Sequence, residues 1–226
     1  MRPLDIVTTA SGEGDIYGAL NTMPGTQSVG EEGGIFVRGG EGYETKTYID
    51  GMLVKSPYSS SMPDVPSRGK FSPFLFSGTM FSTGGYSAEY GQALSSALIL
   101  KTNALPEKDV SSITLMSVGL GASHTKRWEK TSLSANVDYT NLSPYYGLAK
   151  QDIDWKKAPE GLSGSLLFRQ KVGNSGMIKS FASFSKDNSL LNYPNIEYGG
   201  VDLINLKNQN FYFNSVYNDQ ISEDGK

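Results

Sequence analysis

Residues 33–51, GGIFVRGGEGYETKTYIDG, carry short alternating runs broken by glycine. Ile35 and Val37 fall on one side of an extended segment and Phe36 and Arg38 on the other, which predicts a strand. Gly39 and Gly40 end it where a φ-permissive backbone is wanted. A second alternating run, Thr45 to Ile49, leads into Asp50-Gly51, with Met52-Leu53-Val54 beyond. Asp-Gly readily fills both positive-φ positions of a type I′ turn, so these two runs predict a hairpin. Arg38 is the odd member. A long cation between an apolar strand and two glycines calls for a particular partner rather than bulk water.

Upstream, Ser11 is a candidate helix cap with acids following it, and Ile16, Ala19, Leu20 and Met23 recur at helical spacing until Pro24-Gly25. Gly12, Gly14 and Gly18 do not make a dinucleotide fingerprint, because their spacing is wrong and no strand precedes them. Downstream, residues 55–73 are rich in proline and serine, a loop long enough to be functional or disordered. Phe71, Phe74 and Phe76 are placed to return it to the core. Residues 78–81 predict a strand, Gly84-Gly85 a turn, and residues 94–101 a last apolar strand of this part.

Beyond residue 109 the pattern becomes two-sided. Thr131, Leu133, Ala135, Val137 and Tyr139 share one face, opposite Ser132, Ser134, Asn136 and Asp138. Thr114, Met116, Val118 and Leu120 give a neighbouring apolar row. Leu162, Leu166, Phe168 and Val172 give another, with Arg169 and Lys171 opposite. Gly173 to Gly176 forms a tight turn into residues 177–186. Phe211, Phe213 and Tyr217 alternate with Asn210, Tyr212 and Asn214. The count is about five strands, with a long connection over residues 141–161. On that count the connection lies at the same end of the strands as the chain entering the first of them. Tyr145, Tyr146, Asp152, Asp154 and Trp155 fall in it. Asp152 and Asp154 lack the further oxygen ligands of a Ca²⁺ loop. Alternation alone would equally suit a soluble β-sandwich.

Composition narrows the function. The 226 residues hold 26 Gly, 13 Tyr and 10 Phe with only 38% hydrophobic residues, a mixture that favours short strands and turns. A net charge of −3 without a basic, aromatic-interleaved cluster argues against nucleic acid as a partner. No cysteine is present, which removes disulfides, thiolate metal sites and cysteine nucleophiles. A single histidine, His124, leaves no basis for a His-rich metal site or a Ser-His-Asp triad. No catalytic constellation, cofactor motif or metal set emerges, so the chain reads as a non-enzyme. The longest apolar run, residues 97–100, is far too short for a membrane helix, which does not speak against membrane strands. No signal-peptide h-region follows Met1.

Four motifs in order carry a resemblance. GEGDIYGALNTMPG, GGIFVRGG, YIDGMLV and GGYSAEYGQALSSALILKT, spanning about residues 11–103, look like the plug domain of TonB-dependent outer-membrane receptors. They are most similar to the Bacteroidetes-type branch, with its PGV, VRGG, LDGVPV and EYGGRLSS motifs. Gly91-Gln92 stands where that branch has Gly-Arg, and Thr26 where it has valine after Pro-Gly. The resemblance implies an α+β plug domain (a small mixed sheet with short helices) over residues 1–108. Antiparallel transmembrane β-barrel strands would follow over 109–226, with the barrel incomplete. Plugged transporters use about 22 strands, so the chain reads as a fragment.

The implied function is active transport across the outer membrane of a Gram-negative bacterium. A scarce nutrient such as a siderophore, cobalamin or glycan would be bound and imported while the plug gates the lumen. Implied partners are the TonB energy-coupling protein, through an element upstream of this chain, outer-membrane lipid, the small-molecule or glycan substrate, and a surface lipoprotein. Arg38, Gly39, Gly40, Asp50, Gly51, Glu89, Tyr90 and Gly91 are the plug-motif and plug–barrel contact candidates. Arg38 would meet a barrel carboxylate or pair locally with Glu89. Loops over residues 27–32 and 58–70 are the candidate substrate surface, with Tyr58, Arg68 and Lys70 foremost. The alternative is a soluble secreted β-rich carbohydrate-binding module.

Overall fold

A computed structural model describes residues 1–12, 14–27, 34–59, 68–149, 152–195 and 199–219. The chain divides into two compact units, Met1–Ala104 and Leu105–Lys226.

The first unit opens with α1 (Pro3–Val7) and α2 (Ile16–Leu20). Sequence alone suggested Ser11 as the cap, but Ser11 is a positive-φ residue outside the helix, and the cap is Asp15. Its carboxylate accepts the Tyr17 and Gly18 N–H groups at 3.1 and 3.0 Å, two of the donors a helix start leaves unpaired. Ile16, Tyr17, Ala19 and Leu20 are buried beneath it.

Two residues each form β1 (Thr26–Gln27) and β2 (Phe36–Val37), which pair antiparallel. The expected two-faced strand from Ile35 to Arg38 is not found: Ile35, Phe36 and Val37 are all buried, and Arg38 is already in a turn. The predicted hairpin is present, with β3 (Thr45–Ile49) paired to β4 (Met52–Val54). Asp50 and Gly51 hold φ of +48° and +86°, as a type I′ turn requires. β5 (Phe76–Ser82) and β6 (Ser96–Thr102) complete a sheet in the order β4-β3-β6-β5, with β3 and β6 parallel. Ile49, Leu98 and Leu100 are fully enclosed, as suits a central parallel pair.

The second unit is a six-stranded antiparallel meander: β7 (Val110–Met116), β8 (Gly119–Arg127), β9 (Thr131–Asn141), β10 (Asp154–Val172), β11 (Gly176–Asn195) and β12 (Gly200–Asn218). The sixth strand arises because residues 117–118 turn β7 back onto β8, pairing Leu115 with Leu120. This splits the expected Thr114-to-Leu120 row. Ser117 is a weak turn former beside a β-branched Val118, so the break carried little signal. The extra strand also moves the β9–β10 connection to the end opposite the one where the chain enters β7. That connection is shorter than expected, since β10 already begins at Asp154. Within it lies α3 (Ser143–Leu148). Pro159 is accommodated where the β10–β11 register shifts between Lys157 and Glu160.

The two faces of this meander differ sharply. Cross-strand register places Ile113, Leu115, Leu133, Val137, Leu166, Phe168, Phe211 and Phe213 on one face. That face is the exposed one: Leu115 is 83% exposed, Phe211 71% and Leu166 51%. The other face carries Ser132, Ser165, Arg169 and Asn214, all buried, with Leu167 and Phe181 among them. Arg169 donates to the Ser134 and Ser132 hydroxyls at 2.9 and 3.2 Å. On the same face Asn136 bridges Asp138 and Ser165.

Burial holds the Asp15 carboxyl above its ordinary 3.8, against the lowering pull of its backbone donors and Arg68. The folded state therefore keeps the proton longer than the unfolded chain does, and stability falls as pH rises between the ordinary value and the raised one. Asp15→Asn should flatten that part of the stability–pH curve. Asp15→Ala should cost about 1–2 kcal/mol, both read from chemical denaturation across acidic pH.

Candidate functional site

The VRGG segment forms a second tight turn. Arg38 and Gly39 have φ of +50° and +81°, and the Gly40 N–H donates to the Val37 carbonyl at 2.9 Å. These are the marks of a type I′ turn with arginine in a position that costs an L-residue about 1 kcal/mol or more. The Arg38 N–H donates to the Gly25 carbonyl at 3.1 Å, which ties the turn to the Pro24-Gly25 bend. Gly40 has no room for a Cβ, which would meet Glu44 Oε2 at 2.5 Å and Ser95 Cβ at 2.7 Å. The Arg38 side chain is exposed, and it makes no ion pair with Glu89 or any other carboxylate among the described residues. The local Arg38–Glu89 pair is therefore not formed.

Asp50 faces inward along the sheet. Its N–H donates to the Leu100 carbonyl at 3.0 Å, and its carboxylate accepts the Thr102 N–H at 3.1 Å and the Thr102 hydroxyl. The hairpin turn is thus fastened to the end of β6. Glu89, Tyr90 and Gly91 lie in a loop over one face of the same sheet. Tyr90 packs edge-on to Tyr48 at 5.1 Å, and the Tyr48 hydroxyl donates to the Gly91 carbonyl. Burial, and then the neighbouring Glu89, push the Tyr90 phenol up. Tyr86 closes the loop through a 3.0 Å hydrogen bond to the Ala93 carbonyl.

The expected substrate loops over residues 27–32 and 58–70 fall mainly on residues 28–32 and 60–67, outside the described residues. The base of the second is described. Ser59 donates to the Arg68 carbonyl at 2.7 Å, Lys70 donates to the Pro57 carbonyl at 2.9 Å, and Tyr58 bridges Gly69. Tyr58 points inward, its ring 4.4 Å from Tyr17 and its enclosed hydroxyl near the Ile35 backbone without a well-formed hydrogen bond. Burial pushes both phenols up. Lys70 caps Ser56 through its carbonyl and hydroxyl. Arg68 is exposed. Asp15, not singled out from sequence, joins these pieces, because its second carboxylate oxygen accepts the Gly69 N–H at 3.0 Å. An aspartate directly before the buried IYGAL helix was the available signal.

In the second unit Tyr146 stacks on Trp155 at 5.8 Å and lies 5.9 Å from Tyr145, an aromatic group at the end carrying the long connection. Asp152 and Asp154 belong to no metal-type cluster of three or more acids or histidines among the described residues. Asp154 instead pairs with Lys156 at 3.2 Å and accepts from Asn192.

No family model matches the chain, and no curated protein matches it. Solved structures do. A double variant of the ferric enterobactin receptor PfeA from Pseudomonas aeruginosa aligns with a TM-score of 0.50 at 14% identity, over 77% of this chain and 30% of the receptor. A glycine-to-valine variant of the same receptor aligns with a TM-score of 0.59 at 14% identity, over 97% of this chain and 38% of the receptor. The likeness at that identity is one of fold, and this chain spans about a third of the receptor's length. The proteins it resembles in fold are receptors rather than enzymes.

The two tight turns should separate under mutation. Arg38→Gly relieves positive-φ strain but adds chain entropy, so thermal melting should show stability within about 1 kcal/mol of the parent. Asp50→Ala unfastens β6 and should cost about 1–3 kcal/mol.

Proposed function

We propose that this chain is the amino-terminal part of a TonB-dependent outer-membrane receptor of a Gram-negative bacterium. In this reading residues 1–108 form the plug, and residues 109–226 supply the first six strands of the barrel. The observation that carries it is the inverted second unit, with its apolar face exposed and its serine, asparagine and arginine face buried. A soluble carbohydrate-binding sandwich needs the reverse, since burying apolar area is what holds two sheets together. A membrane strand needs apolar residues towards lipid and polar ones towards the lumen. The apolar rows run about ten residues along β10, enough at a 45° tilt to cross a hydrocarbon core. The fold likeness to PfeA supports the same reading.

The plug's work follows from how it is held. Its described sheet is closed by hydrogen bonds and by turns, while the exposed Arg38 side chain projects from a strained turn and makes no ion pair among the described residues. We assign Arg38 to a carboxylate on the barrel wall. Such a contact in a wet lumen is worth about 0–1 kcal/mol when exposed, so it can be exchanged when the energy-coupling partner pulls. The substrate is a scarce nutrient such as a siderophore, cobalamin or glycan. It is met by the loops at residues 27–32 and 58–70, for which Arg68 is the exposed cation. TonB, outer-membrane lipid and a surface lipoprotein are the partners of this reading.

The second unit's orientation fits a barrel. The connections over residues 128–130 and 173–175 are short and share one end, whereas the β9–β10 connection, the longest of the meander, lies at the other together with the two-residue turn at 117–118. Barrels keep short turns on the periplasmic side and longer loops outside.

Two measurements test this. The natural gene should continue past residue 226 for about 16 further alternating strands, to reach the roughly 22 of a plugged barrel; termination near that point sinks the reading. In the full-length protein Leu166→Arg, on the exposed apolar face, should cost about 2–4 kcal/mol of stability in lipid and reduce outer-membrane insertion. Asn210→Lys on the opposite face should insert normally. Equal tolerance of both would overturn the assignment of faces.

A further inference from the structure

β10, β11 and β12 are 19, 20 and 19 residues long. That is about twice what a tilted strand needs to cross a hydrocarbon core. The apolar, exposed face of these strands changes character along that length. Towards the turn at residues 173–175 it is apolar, up to the row in which Gly164, Phe184 and Phe211 stand opposite one another. The next row towards the β9–β10 connection is Tyr139, Leu162, Lys186 and Gln209. Beyond it come Asn141, Glu160, Asn188 and Lys207. Two lysines thus enter this face at the level where its apolar rows give out.

The two cations are close to one another. Lys186 opposes Gln209, and Lys207 lies two residues from Gln209 on the same strand, so the lysines are diagonal neighbours roughly 7–8 Å apart. Both are exposed, and neither makes an ion pair among the described residues. The carboxylate nearest them in register, Glu160, is engaged by Lys157 at 2.8 Å and by the Tyr139 hydroxyl at 2.8 Å. It lies within electrostatic reach of Lys186 but does not bond to it. At the other end of the strands the lysine on this face, Lys126, has its own carboxylate in Asp109 at 2.6 Å. Like charges side by side cost stability unless an anion joins them. Directly below the lysines, Phe184 and Phe211 are 42% and 71% exposed. A lysine stem can lie over such apolar neighbours while its ammonium reaches headgroup level.

We infer that Lys186 and Lys207 bind the phosphate of an anionic glycolipid in the outer leaflet. Its acyl chains lie on Phe184, Phe211 and Phe213, and its sugar hydroxyls meet the exposed Gln209 and Asn205 amides beside the lysines. This rests on the reading of the second unit as barrel strands with the β9–β10 connection outside. A free phosphate ion would use the charge alone, whereas the cations sit at the border of an apolar surface that only a lipid can cover. Juxtaposed basic residues at a membrane surface recognise phosphorylated headgroups on the same grounds.

The test uses the full-length protein in detergent micelles, with lipid A, a phosphorylated glycolipid, as the probe and native mass spectrometry as the reading. Lys186→Gln combined with Lys207→Gln should weaken lipid A binding roughly 30-fold, which is what one basic residue contributes at an anionic surface, taken twice. Arginine at both positions should preserve binding, and so should Lys126→Gln. All these variants should melt with the parent, since the lysines at 186 and 207 are exposed and unpaired. Lipid A stripped of phosphate should bind the parent as weakly as lipid A binds the double glutamine variant. Equal lipid A binding by the parent and that variant overturns the proposal. So does equal binding of the phosphate-free glycolipid or of phosphatidylglycerol, or displacement of lipid A by excess inorganic phosphate. Outer-membrane fractionation reads the receptor assignment separately. A protein that fractionates with the outer membrane but binds lipid A without regard to the two lysines sinks only the lipid site. One that fractionates with soluble protein sinks the receptor reading.

Discussion

The first unit depends on the parallel pairing of β3 with β6, two strands far apart in sequence with no hairpin to set their register. A slip by one residue would exchange Thr47, Ile49, Leu98 and Leu100 with Tyr48, Ala97 and Ile99 between two differently packed faces. Polar contacts at both ends prevent it. At the start, the buried Thr45 hydroxyl meets Ser96 at 2.7 Å and donates to the Ile35 carbonyl at 2.7 Å. At the finish, Asp50 grips Thr102 and Leu100. Everything else hangs on this pair: α2 through the Tyr17–Thr47 hydroxyl contact, the Glu89–Gly91 loop through Tyr48, and β5 through its ladder with β6. Asp50 is therefore a register lock, and a functional role for that motif position need not be invoked to explain the residue.

The second unit obeys a different constraint. Its strands expose what a water-soluble sheet would bury. The buried face is largely bonded within itself, by Arg169 with two serines and by the Asp138–Asn136–Ser165 chain, although the Ser185 hydroxyl is enclosed without a partner. The exposed face carries only scattered bonds, Ser180 to Ser215 and Ser111 to His124 among them, between its leucines and phenylalanines.

Local chemistry was readable in the chain where one or two residues decide the backbone. Asp50-Gly51 and the glycines after Arg38 specified their turns, because positive φ at consecutive positions is open to few residue types. The faces of β9, β10 and β12 were readable too, since a period of two needs no knowledge of neighbours. Where the decision lay in partners distant along the chain, the pattern misled or was silent. Ile35 and Phe36 alternate on paper, yet both are buried, because the core encloses this strand on both sides. Ser11 had the better capping sequence, but Asp15 won by also holding Gly69, fifty-four residues away. The Ser117-Val118 turn had only a serine to announce it, and the pairing of Leu115 with Leu120 defines it.

The same division runs through the candidate site. The motif residues were visible in sequence, but their roles separated only in three dimensions. Asp50, Tyr90 and Gly91 turn out to fasten the sheet, Tyr58 packs inward against Tyr17, and Arg38 is left projecting from its turn. Turn type and facial alternation are settled by nearest neighbours, and so are written in the chain. Register, burial on both sides and the choice among competing hydrogen-bond partners depend on which segments meet after long loops close, and the tertiary structure alone decides them.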